Sequence, residues 1–421
     1  MKKILALLLA VLLLAGCGGK QSASTDLMQD VTAPQETAFI SIGQDTPDTF
    51  DPTIDTAWDN TLITDFGICL LQEALEDGEN TLISAQSVLT AMAMAANGAK
   101  GDTLSQMEAV LGQRTAALNS WHKYSVKGRD GLLHTANGIW IKDDPQLAVC
   151  EEFLQTNLAY FDAAIYKAPF DNTTVKDING FVEENTHGMV KNILDKIPVE
   201  AEVYLVNALA LDAQWEEVYK GNKVRQGEFT TEDGNLQSAE MMYSKESLYL
   251  EHDLATGFVK PYKQGNTESY AFVALLPKDG VSVKELVDHL DGESLRQMLG
   301  NPQKITVNAA IPKFEGEYAV QMEDVLKSMG MTDAFDASRA DFSAMATHAD
   351  GNLYISRVIH KTYISVAEKG TKAGASTVVE AARESAMEEV SKRVTLDRPF
   401  VYMIIDTQTN TPVFLGTCME L

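Results

Sequence analysis

The sequence has little positive charge for its length. Lysine and arginine number 34 among 421 residues, against 60 aspartate and glutamate residues, which leaves a formal net charge of −26. Nucleic-acid binding depends on basic side chains that neutralise phosphates, so this balance argues against a nucleic-acid partner. It also disfavours electrostatic adsorption to anionic lipid, and it predicts a soluble extracellular surface that like charge keeps monomeric.

Sequence signatures of enzymes are missing as well. The chain contains no GxSxG nucleophile elbow, no HExxH zinc motif, no Gly-rich phosphate loop and no EF-hand loop. The 7 histidines are scattered, and none pairs with another at the spacing of metal ligands. Acidic pairs such as Glu183-Glu184 are far more typical of solvated faces than of catalytic carboxylates. We therefore expect no enzyme, no metal site and no cofactor.

Cysteine is scarce too. Besides Cys17 the chain has only Cys69, Cys150 and Cys418, an odd number without a CxxC pair. This excludes a closed disulfide framework. Each of the three lies in an apolar run, which predicts buried free thiols rather than a catalytic cysteine.

The N-terminus has the organisation of an export signal. Residues 1–17, MKKILALLLAVLLLAGC, combine two lysines with an apolar run that is too short for a comfortable membrane span. Leu14-Ala15-Gly16-Cys17 resembles a bacterial lipobox, in which cleavage leaves the cysteine as the lipid-modified first residue. An ordinary signal peptide with an incidental cysteine is the alternative. We expect a lipoprotein signal peptide over residues 1–17, with the protein anchored through Cys17 on the extracellular face of a bacterial membrane, or secreted.

The rest of the chain divides into a tether and one domain. Residues 18–57 are rich in Ser, Thr, Asp, Gln, Gly and Pro, which predicts a flexible tether. Residues 58–421 contain no linker, and they place helices in the first half, one of them capped by Asp102, and strands in the second. One helix, around residues 318–329, interrupts those strands. Because a regular βαβ alternation is absent, we predict an α+β domain over residues 58–421.

One segment near the C-terminus is unusual. Residues 368–390, EKGTKAGASTVVEAARESAMEEV, are long and full of small side chains. Every second residue from Thr371 is small or apolar, whereas the intervening set is more polar and carries both charges, as in a strand with one buried face. Such a loop could insert between two existing strands and gain about ten backbone hydrogen bonds, each worth about 0.5–1.5 kcal/mol. An alanine-rich surface helix or a disordered loop fits these residues equally well.

Several blocks in order resemble the serpin family across residues 58–421. They include NTLISAQSVLTAMAMAANGAKGDT (80–103), LVNALALDAQW (205–215), VIHKTYISVAEKGTKAGAST (358–377) and DRPFVYMIIDTQTNTPVFLGTC (397–418). The resemblance implies a serpin fold: three β-sheets, eight or nine helices and an exposed reactive-centre loop. It also implies a suicide-substrate inhibitor whose targets are serine proteases, with cysteine proteases as a further class of target. Cleavage of the loop is followed by its insertion into the main sheet, and the acylated protease is trapped.

The resemblance also implies roles for particular residues. Those matching the hinge of the loop are Glu368, Gly370, Thr371, Ala373, Ala375 and Thr377. Those matching polar positions beneath the main sheet, where strands part, are Ser84, Ser87, Asn207 and His360. The chain departs from the family pattern at Ala85-Gln86, where a proline is usual after the first serine.

The scissile bond follows from hinge length. The hinge length usual in the family, counted from Glu368, places it between Glu384 and Ser385, and a cut after Arg383 is the trypsin-like alternative. Because the loop from Glu368 to Pro399 is longer than in some family members, a cut after Ala386 or Met387 is a further alternative. The first two predict different proteases, since glutamate suits a basic or permissive pocket and arginine an acidic one. A non-inhibitory serpin that acts as a binding or carrier protein remains the alternative function. We expect a monomer with no nucleic-acid partner, held at the membrane only by its lipid.

Overall fold

The structure is a computed structural model, and it describes residues 23–33, 56–123, 131–265, 269–348, 352–371 and 391–421. Several predicted functional positions lie outside these residues: Cys17, Ala373, Ala375, Thr377, Arg383, Glu384 and Ser385. Among the described residues, no helix is both long enough and apolar enough to cross a membrane.

Nine α-helices form within the described ranges. They are α1 (Thr56–Ala74), α2 (Ala85–Ala96), α3 (Gly101–Leu111), α4 (Thr115–Trp121), α5 (Glu151–Phe161), α6 (Asn172–Asn185), α7 (Val283–His289), α8 (Gly292–Gly300) and α9 (Met322–Ser328).

The same part of the chain forms twenty β-strands. They are β1 (Thr25–Asp26), β2 (Thr81–Ile83), β3 (Leu133–Lys142), β4 (Leu147–Val149), β5 (Ala164–Ala168), β6 (Val203–Leu211), β7 (Ala213–Gln214), β8 (Val224–Thr230), β9 (Leu236–Glu246), β10 (Leu248–Glu251), β11 (Ala255–Pro261), β12 (Tyr270–Pro277), β13 (Thr306–Pro312), β14 (Phe314–Gln321), β15 (Ala346–His348), β16 (Ile355–Ala367), β17 (Gly370–Thr371), β18 (Ser391–Thr395), β19 (Phe400–Asp406) and β20 (Thr411–Cys418).

Three sheets carry most of these strands. The main sheet has the order β1-β5-β3-β6-β16-β17-β7, with β14 on the other edge of β16. A second sheet has the order β10-β11-β12-β19-β20-β2, and a third the order β18-β13-β9-β8, while β15 and β4 form a small ribbon. The predicted α+β class, three large sheets and eight or nine helices are therefore confirmed for the described residues.

The main sheet is covered on both faces. On one face α6 packs through Ile178 and Val182 against Trp140 and Tyr204 of the sheet. On the other face lies α2, whose residues are all buried. Strand β6, VYLVNALAL, is buried along its whole length for this reason, as expected for a strand with both faces covered. Asn207 of β6 and His360 of β16 are consequently enclosed beneath the sheet.

Four details of the sequence prediction are wrong. Helix α3 begins at Gly101 with Lys100 at its N-cap, so Asp102 is not the cap. Asp102 lies in the first turn, where its negative charge interacts favourably with the helix dipole. The helix expected around residues 318–329 begins only at Met322, because the preceding residues pair with β16 as β14. Helices α7 and α8 interrupt the strand-rich second half. Of the three thiols expected to be buried, Cys418 is buried, Cys150 is half-buried and Cys69 is exposed.

The predicted tether also differs where the structure describes it. Residues 23–33 lie against the domain, with Thr25 and Asp26 paired antiparallel to Lys167 and Tyr166 of β5. The free edge of the main sheet offers unpaired backbone groups, and this segment satisfies some of them. Residues 23–33 therefore extend the main sheet rather than acting as a free linker.

Candidate functional site

A line of polar side chains crosses the middle of the main sheet. Strands β6 and β16 are parallel neighbours, paired from Val203 and Ile355 to Ala210 and Tyr363 with one bulge. Along these strands His360 lies directly opposite Asn207, and Asn207 lies opposite Asn137 of β3. We call Ser84, Ser87, Asn137, Asn207 and His360 the polar seam.

His360 is the centre of the polar seam. Its Nε2 accepts a hydrogen bond of 3.1 Å from the backbone N–H of Ser84. Its Nδ1 lies 2.6 Å from Oδ1 of Asn207. Because Nε2 is occupied as an acceptor, Nδ1 carries the proton and donates to the amide oxygen. The histidine thus joins β16 to β6 and to the start of α2.

Asn207 continues the network to the next elements. Its Nδ2 donates to the backbone carbonyl oxygen of Ser87 at 3.0 Å and also approaches the Ser87 hydroxyl. The same nitrogen donates to Oδ1 of Asn137. Every group in this network is neutral, and each link joins two different elements of the fold.

Burial keeps His360 uncharged. The side chain is fully enclosed, and loss of solvation lowers the pKa of its imidazole to about 3. Protonation of Nε2 would also place two N–H donors against each other. The polar seam is therefore a neutral hydrogen-bonded unit at physiological pH.

The start of helix α2, which carries Ser84 and Ser87 of the polar seam, forms without the proline that the family pattern led us to expect. Ser84 is the N-cap of α2, and its hydroxyl oxygen accepts from the backbone N–H of Ser87 at 3.3 Å. Alanine at the first helical position is a strong helix former, so Ala85-Gln86 continues directly from the cap. The departure from the family pattern therefore leaves the helix start intact.

The hinge turns back at the end of β16. Gly370 and Thr371, as β17, pair with Ala367 and Val366 of β16 and with β7 on the other side. Gly370 has a φ of +147°, and a Cβ at this position would collide with the carbonyl oxygen of Ala213. Only glycine fits such a backbone without strain. The predicted hinge glycine is thus required by close packing.

Thr371 is held in a pocket of aromatic side chains. It is 1% exposed, and its hydroxyl lies 2.6 Å from the hydroxyl of Tyr262. The Tyr262 ring stacks on Trp215 at 4.3 Å between centroids, and burial raises the pKa of the Tyr262 phenol well above its usual value. The Trp215 indole in turn donates from Nε1 to the carbonyl oxygen of Ala367 at 2.8 Å.

Glu368 is fixed by charge as well as by backbone bonds. Its carboxylate forms an ion pair with Lys313, which also contacts Glu240 at 2.8 Å. Partial burial by itself raises the pKa of the Glu368 carboxyl, but Lys313 outweighs that effect and the pKa is lowered. The carbonyl oxygen of Glu368 also accepts from the backbone N–H of Tyr219 at 2.9 Å.

A buried ion pair lies beside these contacts. Nζ of Lys260 lies 2.9 Å from Oε1 of Glu246, and the two side chains are only 2% and 7% exposed. The ammonium group also lies over the rings of Tyr219 and Trp215, 4.6 and 5.4 Å from their centroids. We call the residues around the hinge the hinge cluster: Trp215, Tyr219, Glu246, Lys260, Tyr262, Lys313, Glu368, Gly370 and Thr371.

The structure brings the predicted site residues into two groups. Ser84, Ser87, Asn207 and His360 contact one another in the polar seam, and Glu368, Gly370 and Thr371 lie together at the end of β16. The remaining hinge and scissile-bond positions are outside the described residues. Sequence reasoning missed Asn137, although it is the single amide in the mostly apolar stretch TANGIWI (135–141), and it missed the Lys260–Glu246 pair.

Comparisons with known proteins agree on one family. The family model described as Serpin (serine protease inhibitor) matches residues 61–421. An uncharacterized serpin-like protein of Thermococcus kodakarensis is 30% identical over 370 residues, covering 85% of this chain and 84% of the relative. The crystal structure of the thermophilic serpin tengpin in its native state shares 40% identity with a TM-score of 0.85, covering 94% of this chain and all of tengpin. For the latent state of tengpin, also 40% identical, the TM-score is 0.75 with 87% of this chain and 99% of that chain covered.

Proposed function

The chain belongs to the serpin family of serine protease inhibitors, and we propose that it inhibits its target by a suicide-substrate mechanism. A serine protease cleaves the loop between the hinge and β18, and the hinge side of the loop then inserts between β6 and β16. The acylated protease moves with the inserted strand and is trapped. The protein supplies the conformational free energy, and the protease supplies the nucleophile.

The observation that carries this proposal is the position of the hinge at the end of a closed pair of parallel strands. An entering strand that follows β16 through Gly370 runs antiparallel to both β6 and β16. It replaces one parallel ladder by two antiparallel ladders, which are slightly more stable per residue. About ten added hydrogen bonds at about 0.5–1.5 kcal/mol each are comparable to the stability of a whole domain.

The polar seam supports the same proposal. A strand that enters between β6 and β16 must separate His360 from Asn207, which are now 2.6 Å apart. Both groups are neutral, so the entering backbone can take over their hydrogen bonds without leaving a buried charge. The seam thus holds the strands together in the resting state and permits them to part.

The scissile bond is proposed between Glu384 and Ser385, with cleavage after Arg383 as the alternative. The test uses the chain from Gly18 onward, mixed with Glu-specific, trypsin-like and elastase-like proteases. We expect a complex that survives denaturing electrophoresis with one of them, and a released C-terminal fragment that begins at Ser385. A fragment that begins at Glu384 would assign the bond to Arg383. Complete cleavage without a stable complex for any protease would favour a non-inhibitory binding or carrier function.

We also propose that Cys17 is the lipid-modified residue and that it holds the protein on the extracellular face of a bacterial membrane. The lipobox-like Leu14-Ala15-Gly16-Cys17 supports this assignment. Mass spectrometry of the N-terminal peptide should find an acylated Cys17, and Cys17→Ala should be released from the membrane fraction. An unmodified mature N-terminus at another residue would contradict the lipid anchor while leaving the inhibitory function untouched.

A further inference from the structure

The segment that precedes the domain is attached to one particular place on it. The backbone N–H of Leu27 donates to the carbonyl oxygen of Ile165 in β5 at 2.9 Å. The N–H and the hydroxyl of Ser24 both donate to Oδ2 of Asp177 in α6, at 2.9 and 2.8 Å. Leu27, Met28 and Val31 pack against the largest hydrophobic cluster. Backbone pairing, a carboxylate and apolar contact therefore hold residues 23–33 together.

The strand register shows where along the main sheet this attachment lies. Paired residues of neighbouring strands lie side by side across the sheet. Asp26 of β1 is in line with Tyr166 of β5, Trp140 of β3, Tyr204 of β6 and Arg357 of β16. From that level β16 continues to Ala367 at the hinge, a distance of about 33 Å at about 3.3 Å per residue. The attachment therefore lies near the end of the sheet that is opposite the hinge.

The direction of β1 shows from which side the chain arrives. Thr25 is paired one residue farther from the hinge than Asp26, at the level of Lys167 and Ile141. The residues before Thr25 therefore approach from the end of the domain that is opposite the hinge. We call the two ends the hinge pole and the entry pole.

Chain length limits how far the entry pole can lie from residue 17. From Cys17 to Ala23 a fully extended chain reaches at most about 21 Å, at about 3.5 Å per residue. If residues 23–33 did not bind the domain, the next described residue would be Thr56, and the same limit for the chain from Cys17 to Thr56 would be about 140 Å. The docked segment therefore shortens the connection to Cys17 several-fold.

We propose that docking of residues 23–33 orients the lipid-anchored protein, with the entry pole facing the bilayer and the hinge pole facing away from it. This inference rests on the lipid anchor at Cys17 proposed above. The reactive-centre loop, which starts at the hinge pole, is then presented to proteases in the surrounding medium rather than to enzymes embedded in the same membrane.

The test measures the height of each pole above a bilayer. The lipidated chain is reconstituted into phosphatidylcholine vesicles that contain an acceptor-labelled lipid, in a Cys69→Ser background. A donor dye is placed either at Glu217→Cys, next to the hinge cluster, or at Glu200→Cys, just before β6. Both parent side chains are exposed. We expect several-fold stronger energy transfer from residue 200 than from residue 217.

A matched pair of variants tests whether docking causes the orientation. Leu27→Pro removes the N–H that bonds to Ile165 together with the packed side chain, and we expect it to abolish most of the difference between the two dyes. Gln29→Ala changes an exposed neighbour in the same segment and should leave the difference intact. Hydrogen exchange in the unlabelled chain provides a second readout. The Leu27 amide should be protected in Gln29→Ala, and the amides next to position 27 should lose protection in Leu27→Pro.

The outcomes separate the two assumptions. A chain without lipid on Cys17, which also fails to float with vesicles, would overturn the anchor and with it this inference. A lipidated, vesicle-bound chain with equal transfer from both poles would overturn the orientation alone. An unchanged difference in Leu27→Pro would show that residues 23–33 do not cause it.

Discussion

The polar seam and the hinge cluster lie at the middle and at the end of the same strand, β16, yet they are built from opposite chemistry. The seam contains only neutral groups that hydrogen-bond across strands and to α2. The hinge cluster adds a buried ion pair and a stacked aromatic pair. Neutral hydrogen bonds can be exchanged at small net cost, whereas a buried charge cannot lose its partner without a large penalty. The contrast indicates that the seam is suited to opening and that the hinge cluster is suited to remaining in place.

The largest effect on protease trapping is expected from a charge on the strand that enters the main sheet. Ala375→Arg places a guanidinium on the small-residue face of the entering strand, and burying an unpaired charge there costs several kcal/mol. Each increase of about 1.4 kcal/mol in the insertion barrier slows insertion about tenfold relative to hydrolysis of the acyl-enzyme. We expect the protease to cleave this variant and escape, as measured by the yield of denaturation-resistant complex.

The matched control for that variant is Lys369→Arg, which keeps a long cation at an exposed hinge position and should still trap the protease. Undiminished trapping by Ala375→Arg would contradict insertion of this segment into the main sheet.

The next largest effect tests the buried charges of the hinge cluster. Lys260→Met leaves the Glu246 carboxylate buried without its cation, and we expect a loss of about 3–5 kcal/mol of unfolding free energy. The double variant Lys260→Met/Glu246→Gln removes both charges and should recover most of that loss. Denaturant midpoints of the three proteins provide the measurement. Equal destabilisation of the single and the double variant would show that packing, rather than charge, dominates here.

The polar seam should make the resting state sensitive to acid. The His360 pKa is about 3 in the folded chain and about 6.5 when unfolded, so between these values only the unfolded state binds the proton. Stability is therefore unaffected by this group above about pH 6.5, and it falls as the pH decreases below that value. At pH 5 the expected loss is about 2 kcal/mol.

The comparison for this prediction is His360→Gln, which retains an acceptor and a donor but does not titrate. Its unfolding free energy should decrease less steeply than that of the parent between pH 6.5 and pH 4. Parallel pH profiles for the two proteins would contradict a role of His360 in the acid sensitivity.

The smallest effect is expected at the partly exposed edge of the hinge cluster. Lys313 and Glu368 are 24% and 38% exposed, and such ion pairs contribute about 0–1 kcal/mol, decreasing with salt. Glu368→Gln should therefore lower the unfolding free energy by about 1 kcal/mol or less, with the difference disappearing in high salt. A loss as large as that of Lys260→Met would show that the hinge depends on this exposed pair as strongly as on the buried one.

Local sequence patterns predicted the regular elements well where apolar spacing was long and clear. Leu62, Phe66 and Leu70 recur at the four-residue spacing of a helix and lie within α1 (Thr56–Ala74), and the stretch VYLVNALAL, apolar except for Asn207, is strand β6, which is buried on both faces. Short elements were harder. Helices α7 and α8 were missed, although Ser282 and Asp291 cap them, because short helices contain too few turns to establish a period.

The candidate site was predicted only as far as its residues lie in recognisable blocks. His360 and Asn207 occur in such blocks, and the structure places them opposite each other across β16 and β6. The pairing of Lys260 with Glu246 joins β11 to β9, and no local pattern indicates that two charges fourteen residues apart share one buried site. Side chains from separate strands meet only when the sheets are stacked.

By itself, the sequence determined the family, the α+β class and the absence of enzyme motifs, because these depend on residue types and short-range periodicity. The tertiary structure decided that the described hinge turns back beside a closed β6–β16 pair, that His360 is held neutral, and that residues 23–33 add a strand to the main sheet. The reason is physical. Burial, register and the pairing of a free sheet edge depend on contacts between residues more than a hundred positions apart, and no local pattern encodes such contacts.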